Sequence, residues 1–307
     1  MKIAHITDTA MAYVPSRFVD LINKYTSHTA HLFHTKQFSF GDPWNLVNNF
    51  PKEVRLLHEC DVLHYHGSRI FDAGKLGGLD LASLASKPKI LHYHGSPQRE
   101  NPEKYQRSGV PLLVSTPEML PLFPGSQFFP NLIDETDKLY TPKRQRDDGL
   151  IKICHHFSPH PARKDTELFL KLQREWPKES RAKFVSIPSL PLTEALRQRA
   201  ECDFVFDHFQ GYYGCISIEA MAQGVPPIND VSDFVMGALC SFFGVEPPFV
   251  RTRNSAYQGL LDLVEGIEKC QSDFSRLGER CREFMEKYWS GKVLIHKLID
   301  IYKGLLS

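Results

Sequence analysis

Short apolar runs alternate with amphipathic segments along most of this chain, and that alternation leaves few folds open. Apolar runs are buried strands, the amphipathic stretches are helices, and the series builds parallel βα units. In the first half it predicts strands at Lys2–Thr7, His28–Phe33, Val62–Gly67, Lys89–Gly95, Leu112–Thr116 and Gln127–Pro130, with helices such as Pro15–Lys24 and Val54–Cys60 between them. The polar, charged stretch Thr141–Gly149 reads as a linker. The pattern then restarts, with strands at Ile151–Ser158, Lys183–Ile187, Phe204–Asp207 and Val225–Ile228 and a helix at Thr166–Trp176. Helices follow at Ala256–Cys270, Asp273–Tyr288 and Val293–Leu306, the last with Val293, Leu294, Leu298, Ile301, Tyr302 and Leu305 at helical spacing. A chain of 307 residues suits two domains of ~150 residues each. The expected architecture is α/β, two doubly wound Rossmann-like domains facing a cleft, with C-terminal helices. Residues 1–140 form the first domain, completed by the C-terminal helix over 292–307, and residues 150–290 the second. A ligand belongs at the carboxyl ends of the strands.

Composition narrows the function classes. Lys and Arg number 37 against 36 Asp and Glu, a formal net charge of +1, which argues against a dedicated nucleic-acid binder. The seven cysteines (Cys60, Cys154, Cys202, Cys215, Cys240, Cys270 and Cys281) stand singly with no C-x-x-C pair, so they read as reduced core thiols. The start, MKIAHITD, has no apolar core of a signal peptide. No stretch approaches the ~18 uninterrupted apolar residues of a membrane span. The expectation is a cytoplasmic protein, at most peripheral at the inner face of the membrane.

Three constellations could carry chemistry. In Gly211–Pro226 (GYYGCISIEAMAQGVP), Gly211 and Gly214 let the backbone approach a ligand before a helix that begins near Cys215. The N–H groups of Cys215, Ile216 and Ser217 then suit a phosphate. Glu219, one turn in, could accept two hydrogen bonds from a diol. An ordinary glycine loop before a core helix would read the same way from its glycines alone. Second, Val62–Ser68 (VLHYHGS) and Ile90–Ser96 (ILHYHGS) differ only in their first residue. On a strand, residues two apart share a face, so His64 and His66 point together, as do His92 and His94. H-x-H is a metal-ligand pattern in hydrolases, yet no carboxylate stands at matching spacing. The residues are therefore read as lining a cleft, with no metal site. Third, Arg163 and Lys164 shortly follow the strand Ile151–Ser158, where cations would offset charge on an anionic ligand. Arg99, Ser96 and His66 are further candidates for the same cleft, and Asn131 is expected to shape the turn into the linker.

Gly211–Pro226 resembles the E-A-M-A-x-G-x-P block of retaining GT-B glycosyltransferases, in particular glycosyltransferase family 4. Neighbouring blocks follow in the family's order: Phe129–Asp134 (FPNLID), the strand and loop Ile151–Lys164, Glu201–Phe209 (ECDFVFDHF) and the closing Glu286–Leu305. Two departures stand out. Gly211 occupies the position of the family's second glutamate, with Asp207 upstream placed to compensate. The glycine-rich loop after the first strand is missing, since residues 8–13 read DTAMAY. The resemblance implies that His94 contacts the transferred sugar, with His94 and Asp207 as the catalytic pair. It also implies that Glu219, Lys164, Arg163, Gly211, Gly214, Cys215 and Ile216 bind the donor. The implied reaction is sugar transfer from a nucleoside diphosphate sugar, a UDP-sugar in preference to a GDP-sugar, to a hydroxyl acceptor with retention. No D-x-D motif is present, in keeping with a metal-independent route and no cofactor beyond the co-substrate. The expected acceptor is a saccharide or glycolipid of surface polysaccharide synthesis. Alternatives are a hydroxylated DNA base, a metal-dependent hydrolase built on the H-x-H strands, and a non-catalytic sugar-nucleotide-binding protein.

Overall fold

The structure, a computed structural model, describes residues 1–9, 11–36, 50–76, 79–142, 149–158, 161–252, 257–269 and 271–307. The chain divides into two compact units, one of Met1–Asp134 with Gly291–Ser307 and one of Glu135–Ser290. Most of the predicted linker, residues 143–148, lies outside the described residues.

The N-terminal unit runs β1 (Lys2–Thr9), α1 (Val14–Tyr25), β2 (Thr29–Lys36), α2 (Phe50–Glu59), β3 (Val62–His66), α3 (Arg69–Ala73), β4 (Lys75–Leu76), β5 (Leu79–Asp80), β6 (Lys89–Tyr93), α4 (Ser96–Glu100), β7 (Leu112–Val114) and β8 (Gln127–Phe128). Six strands form one parallel sheet in the order β2-β1-β3-β6-β7-β8, and β4 and β5 make a separate antiparallel hairpin. Strand alternation sorts the side chains. Ala4, Ile6, Leu63, Tyr65, Leu91 and Tyr93 face one apolar core. The alternate positions His5, His64 and His92 are also fully buried, on the other face. Helix α1 covers that face with Val14, Phe18, Leu21 and Ile22, apolar at helical spacing and buried.

The C-terminal unit runs β9 (Ile151–His156), α5 (Thr166–Glu175), β10 (Ala182–Ile187), α6 (Leu192–Arg199), β11 (Phe204–Phe206), α7 (Cys215–Ala222), β12 (Pro227–Asn229), α8 (Asp233–Phe243), β13 (Val250–Arg251), α9 (Tyr257–Lys269) and α10 (Gln271–Lys287). Its five strands are parallel in the order β10-β9-β11-β12-β13. Ile153, Phe204, Phe206 and Ile228 face one core, while Cys154 and Val205 face the other. The sequence reading omits α6, α8 and β13. Helix α8 (DFVMGALCSFF) is apolar on nearly every side, so it lacks the polar face that marks a surface helix. Its ends carry readable signals all the same: the Ser232 hydroxyl accepts from the Val235 N–H, and Gly244 closes it at φ 76°.

The last helix, α11 (Gly291–Leu306), returns to the N-terminal unit and buries Leu294, Ile295, Leu298, Ile299 and Tyr302. No described helix is long and apolar enough to cross a membrane.

Where the chain re-enters the N-terminal unit, the Gly291 N–H donates to Ile133 O at 3.1 Å. A methyl group at Gly291 would lie 2.3 Å from that oxygen and 2.8 Å from a Leu21 methyl. Gly291→Ala should therefore destabilise the protein by about 1–3 kcal/mol through overpacking. Gly304→Ala in the same helix meets nothing within 4 Å, and should be neutral or slightly stabilising. Urea denaturation of both variants checks this, and equal effects would count against the close approach.

Candidate functional site

In the C-terminal unit the strand order reverses at β9, so the crevice at the carboxyl ends of β9 and β11 is the switch point where doubly wound sheets bind ligands. The loop after β9 ends in a 3-10 turn, Pro161–Lys164, and the loop after β11 begins with Asp207. Asp207 is wholly buried. Its Oδ1 accepts from Lys164 Nζ at 2.6 Å, and its Oδ2 accepts from the Gly214 N–H at 2.7 Å and the Ser217 hydroxyl at 2.8 Å. Burial alone would push this carboxyl up. The neighbouring His208, the Lys164 ammonium and the hydrogen bonds from Lys164 and Ser217 outweigh it and hold Asp207 well below the usual carboxylate range.

Gly214 is the N-cap of α7, and a side chain there would have to displace the Lys164–Asp207 pair. A Cβ there would lie 2.7 Å from Lys164 Nζ and 2.9 Å from Asp207 Oδ2. Lys164, Asp207 and the start of α7 thus converge on one point. Cys215 and Ile216, partly exposed, form the first turn of α7, where backbone N–H groups have no intrahelical acceptor. Gly211 adopts φ 77°, which suits glycine, and its carbonyl accepts from the Ser232 N–H. Asp165 steadies the same loops: its carboxylate accepts from the Phe209 N–H at 2.7 Å and from Gln210 Nε2 at 3.0 Å. The Arg163 side chain lies outside the described residues.

Glu219 stands on α7 beside a buried cation. It is 7% exposed, and its Oε2 accepts from Arg199 Nη1 and Nη2 at 3.2 and 3.3 Å. Arg199 is fully buried, and its Nε donates to Gln223 Oε1 at 2.8 Å. The carboxylate is one half of a buried ion pair between α6 and α7, so replacing it with alanine would strand the Arg199 charge.

In the N-terminal unit the order reverses at β1, and the switch point falls between β1 and β3. The two HYHGS segments sit on neighbouring strands, staggered by one pleat: His66 pairs with His92, and His64 pairs with His5 of β1. His94 follows the end of β6. Five imidazoles therefore share one face. His5 Nδ1 and His66 Nε2 lie 2.8 Å apart, His66 Nδ1 and His94 Nε2 2.9 Å, and His94 Nδ1 and Asn131 Oδ1 2.8 Å. The Asn131 oxygen can only accept, so His94 carries its proton on Nδ1, and His66 and His5 each donate from Nδ1 to the next ring. The Tyr302 hydroxyl of α11 lies 2.6 Å from His64 Nδ1 and 3.5 Å from His5 Nε2. His92 donates from Nε2 to Phe129 O at 3.0 Å. Burial holds His5 and His94 down to about 3, and lowers His64, His66 and His92 well below the ordinary histidine value, so the rings are neutral.

Other candidates are placed differently from the sequence reading. Asn131 anchors His94 rather than merely shaping a turn. Arg99 donates to Glu118 at 2.6 Å and to the Thr116 hydroxyl at 2.7 Å, so its charge is met inside the N-terminal unit. The Ser96 side chain lies outside the described residues. Where the glycine-rich loop is missing, Ala12 and Tyr13 adopt φ 50° and 57°, the left-handed geometry glycine would take without strain. Sequence reasoning missed His5 and Arg199, took Tyr302 only as an apolar position of the last helix, and named Ser217 for its N–H and not for its hydroxyl. Of the two missed, only His5 left a signal, a polar residue at an inward position of an apolar strand.

No family model matches the sequence, and no curated protein sequence matches it either. Solved structures do match over the whole chain. Sucrose-phosphate synthase from Thermosynechococcus elongatus superimposes with a TM-score of 0.66 at 14% identity, covering 100% of this chain and 99% of that one. Anabaena HepE in complex with UDP and glucose gives 0.66 at 14% identity, covering 99% of each chain. An alpha-glucosyltransferase in complex with UDP and a 13-mer DNA containing an HMU base gives 0.65 at 12% identity, covering 98% of this chain and 99% of that one. The chain therefore has the fold of GT-B glycosyltransferases, two Rossmann-like α/β units with parallel sheets.

Next to this site, His155 of β9 is fully buried, with Nδ1 on Phe206 O at 3.0 Å and Nε2 on the Thr166 hydroxyl at 2.9 Å. Burial lowers it to about 4. Above its unfolded value of ~6.5 the ring is neutral in both states and has no effect on pH dependence. As pH falls from there to about 4 the unfolded chain gains a proton that the fold refuses, so stability falls by roughly 3 kcal/mol from this residue. Urea denaturation at both ends of that window should show a shallower drop for His155→Phe than for the wild type. Equal drops would mean that the folded unit accepts the charged ring.

Proposed function

We propose that this chain is a glycosyltransferase that moves a sugar from a nucleoside diphosphate sugar to a hydroxyl acceptor, binding the donor in the C-terminal unit. The observation that carries this reading is the convergence of Lys164, Gly214 and the first turn of α7 on buried Asp207. Departure of a nucleoside diphosphate leaves negative charge on phosphate oxygens. The Lys164 ammonium has three N–H groups, of which Asp207 takes one, and a second can reach a phosphate oxygen. The first N–H groups of α7 supply further positive potential at the same point, and Arg163 adds a second cation. Glu219, oriented by Arg199, accepts the ribose hydroxyls. Asp207 is a positioning residue in this scheme, acting through Lys164 and Gly214. His94, held by Asn131, contacts the transferred sugar. Transfer proceeds with retention and needs no divalent ion, in keeping with the absence of a D-x-D motif from the sequence. We assign a UDP-sugar as donor, in line with the UDP complexes among the matching structures. The acceptor we assign by resemblance is a saccharide or glycolipid, met in the cytoplasm or at the inner face of the membrane. A hydroxylated DNA base is the second reading, raised by the DNA-bound neighbour, and the net charge of +1 weighs against it.

The test begins with UDP calorimetry. Glu219→Gln keeps the side-chain shape and should weaken UDP binding about tenfold or more, since a charge-assisted hydrogen bond contributes roughly 1.5–3 kcal/mol. Glu219→Ala should also lose about 3–5 kcal/mol of stability, because Arg199 is left buried and unpaired. Full UDP affinity in a folded Glu219→Gln variant would remove Glu219 from the donor site.

A second measurement concerns turnover. Transfer from UDP-glucose should persist in excess chelator, and His94→Ala should cut it by ~10²–10⁴ with UDP affinity unchanged. Activity abolished by chelator and restored by a divalent ion would overturn the metal-free route.

A further inference from the structure

We propose that His66, His92 and His94 form a binding site for a first-row divalent transition metal, Zn²⁺ above all, at the carboxyl edge of the N-terminal sheet. One nitrogen from each lies within 4.8 Å of the others, and His66 Nδ1 and His94 Nε2 are 2.9 Å apart. A tetrahedral zinc with bonds of ~2.0–2.1 Å holds its ligand atoms ~3.3 Å apart, so small side-chain movements complete the set.

The outer partners match what such a centre requires. Ligating histidines give their other ring N–H to a carbonyl or similar acceptor, which fixes tautomer and orientation. His92 gives its Nε2 proton to Phe129 O, and His94 gives its Nδ1 proton to Asn131 Oδ1. That leaves His92 Nδ1 and His94 Nε2 as lone pairs. His92 Nδ1 is buried with no hydrogen-bond partner, a deficit that a metal ion removes.

His66 needs one rearrangement. Its proton moves from Nδ1 to Nε2, where it donates to His5 Nδ1, and the His5 proton moves to Nε2 and donates to Tyr302. Each ring stays neutral and no proton is lost. The other histidine trio, His5, His64 and His66, suits an ion less well, because His5 and His64 have no solvent exposure and leave no position for water. His66 and His94 are partly exposed, so an ion held by them can be reached from solvent.

An ion on His94 Nε2 excludes that residue from the role proposed for it in transfer, so binding is read directly rather than by activity. The full chain, stripped with chelator, is titrated with Zn²⁺ by calorimetry and with Co²⁺ by its visible absorption. One equivalent should bind, with the intense ligand-field bands of a four-coordinate Co²⁺ site. His92→Asn and His66→Asn should abolish the bands while circular dichroism shows the fold intact. Asn131→Ala removes an outer partner without touching a ligand, and should weaken Zn²⁺ affinity by about 10–100-fold. If either ligand variant fails to fold, the Asn131→Ala affinity and the wild-type Co²⁺ spectrum decide. Absence of binding by the wild type would overturn the site. So would octahedral Co²⁺ bands, or equal affinity in wild type and variants. None of these results bears on UDP binding in the other unit.

Discussion

Asp207 is a charge with no contact with water, and three groups from different parts of the C-terminal unit meet on it: the Lys164 ammonium, the Gly214 N–H and the Ser217 hydroxyl. Taking a carboxylate out of water is costly, and only a full set of donors makes it tolerable. The set is reached only if the loop after β9, the end of β11 and the first turn of α7 arrive together. The network continues through Ser217, whose hydroxyl accepts from Asn229 of β12 at 3.3 Å. A single buried charge thus fixes the mutual positions of two βα connections, the one after β9 and the one after β11, and ties them to β12. The same demand favours glycine at residue 214, where a Cβ would push on Lys164 and Asp207.

The N-terminal unit solves its switch point by other means. There the inward positions of β1, β3 and β6 carry imidazoles, which are neutral when buried and can donate with one nitrogen while accepting with the other. That duality lets hydrogen bonds run from ring to ring through His5, His66 and His94 to Asn131 without an unmatched donor between them. Phe18 of α1 lies 5.7–6.0 Å, ring to ring, from His5, His64, His66 and His92, so the polar row is packed as closely as an apolar one.

Strands and amphipathic helices were legible in the sequence because their periodicity is local. β1, β3, β6 and β9 begin where the apolar runs do, and α7 begins at the residue the glycine loop indicates. Lys164 and Asp207 could be singled out, but not their pairing, which joins residues 43 positions apart. Glu219 could be placed on its helix, yet its partner Arg199 belongs to α6, a short helix after a Pro-Ser-Leu-Pro stretch that reads as loop. The two H-x-H pairs predicted a shared face within each strand. The one-pleat stagger that sets His66 beside His92 is a property of strand pairing. The contribution of Tyr302, from 238 residues away, is a property of topology.

The return of α11 to the N-terminal unit has a consequence for biosynthesis. The sheet of that unit is translated first, but the helix that supplies Tyr302, Leu298 and Ile295 to its packing comes only after all of Glu135–Ser290. The C-terminal unit is continuous in the chain and can close while still on the ribosome, whereas the earlier-made unit, its histidine face covered by α1, must wait for the helix that completes its packing. Order of synthesis and order of completion are therefore reversed. A nascent chain that has yet to pass residue 291 presents the apolar surface on which a chaperone would act.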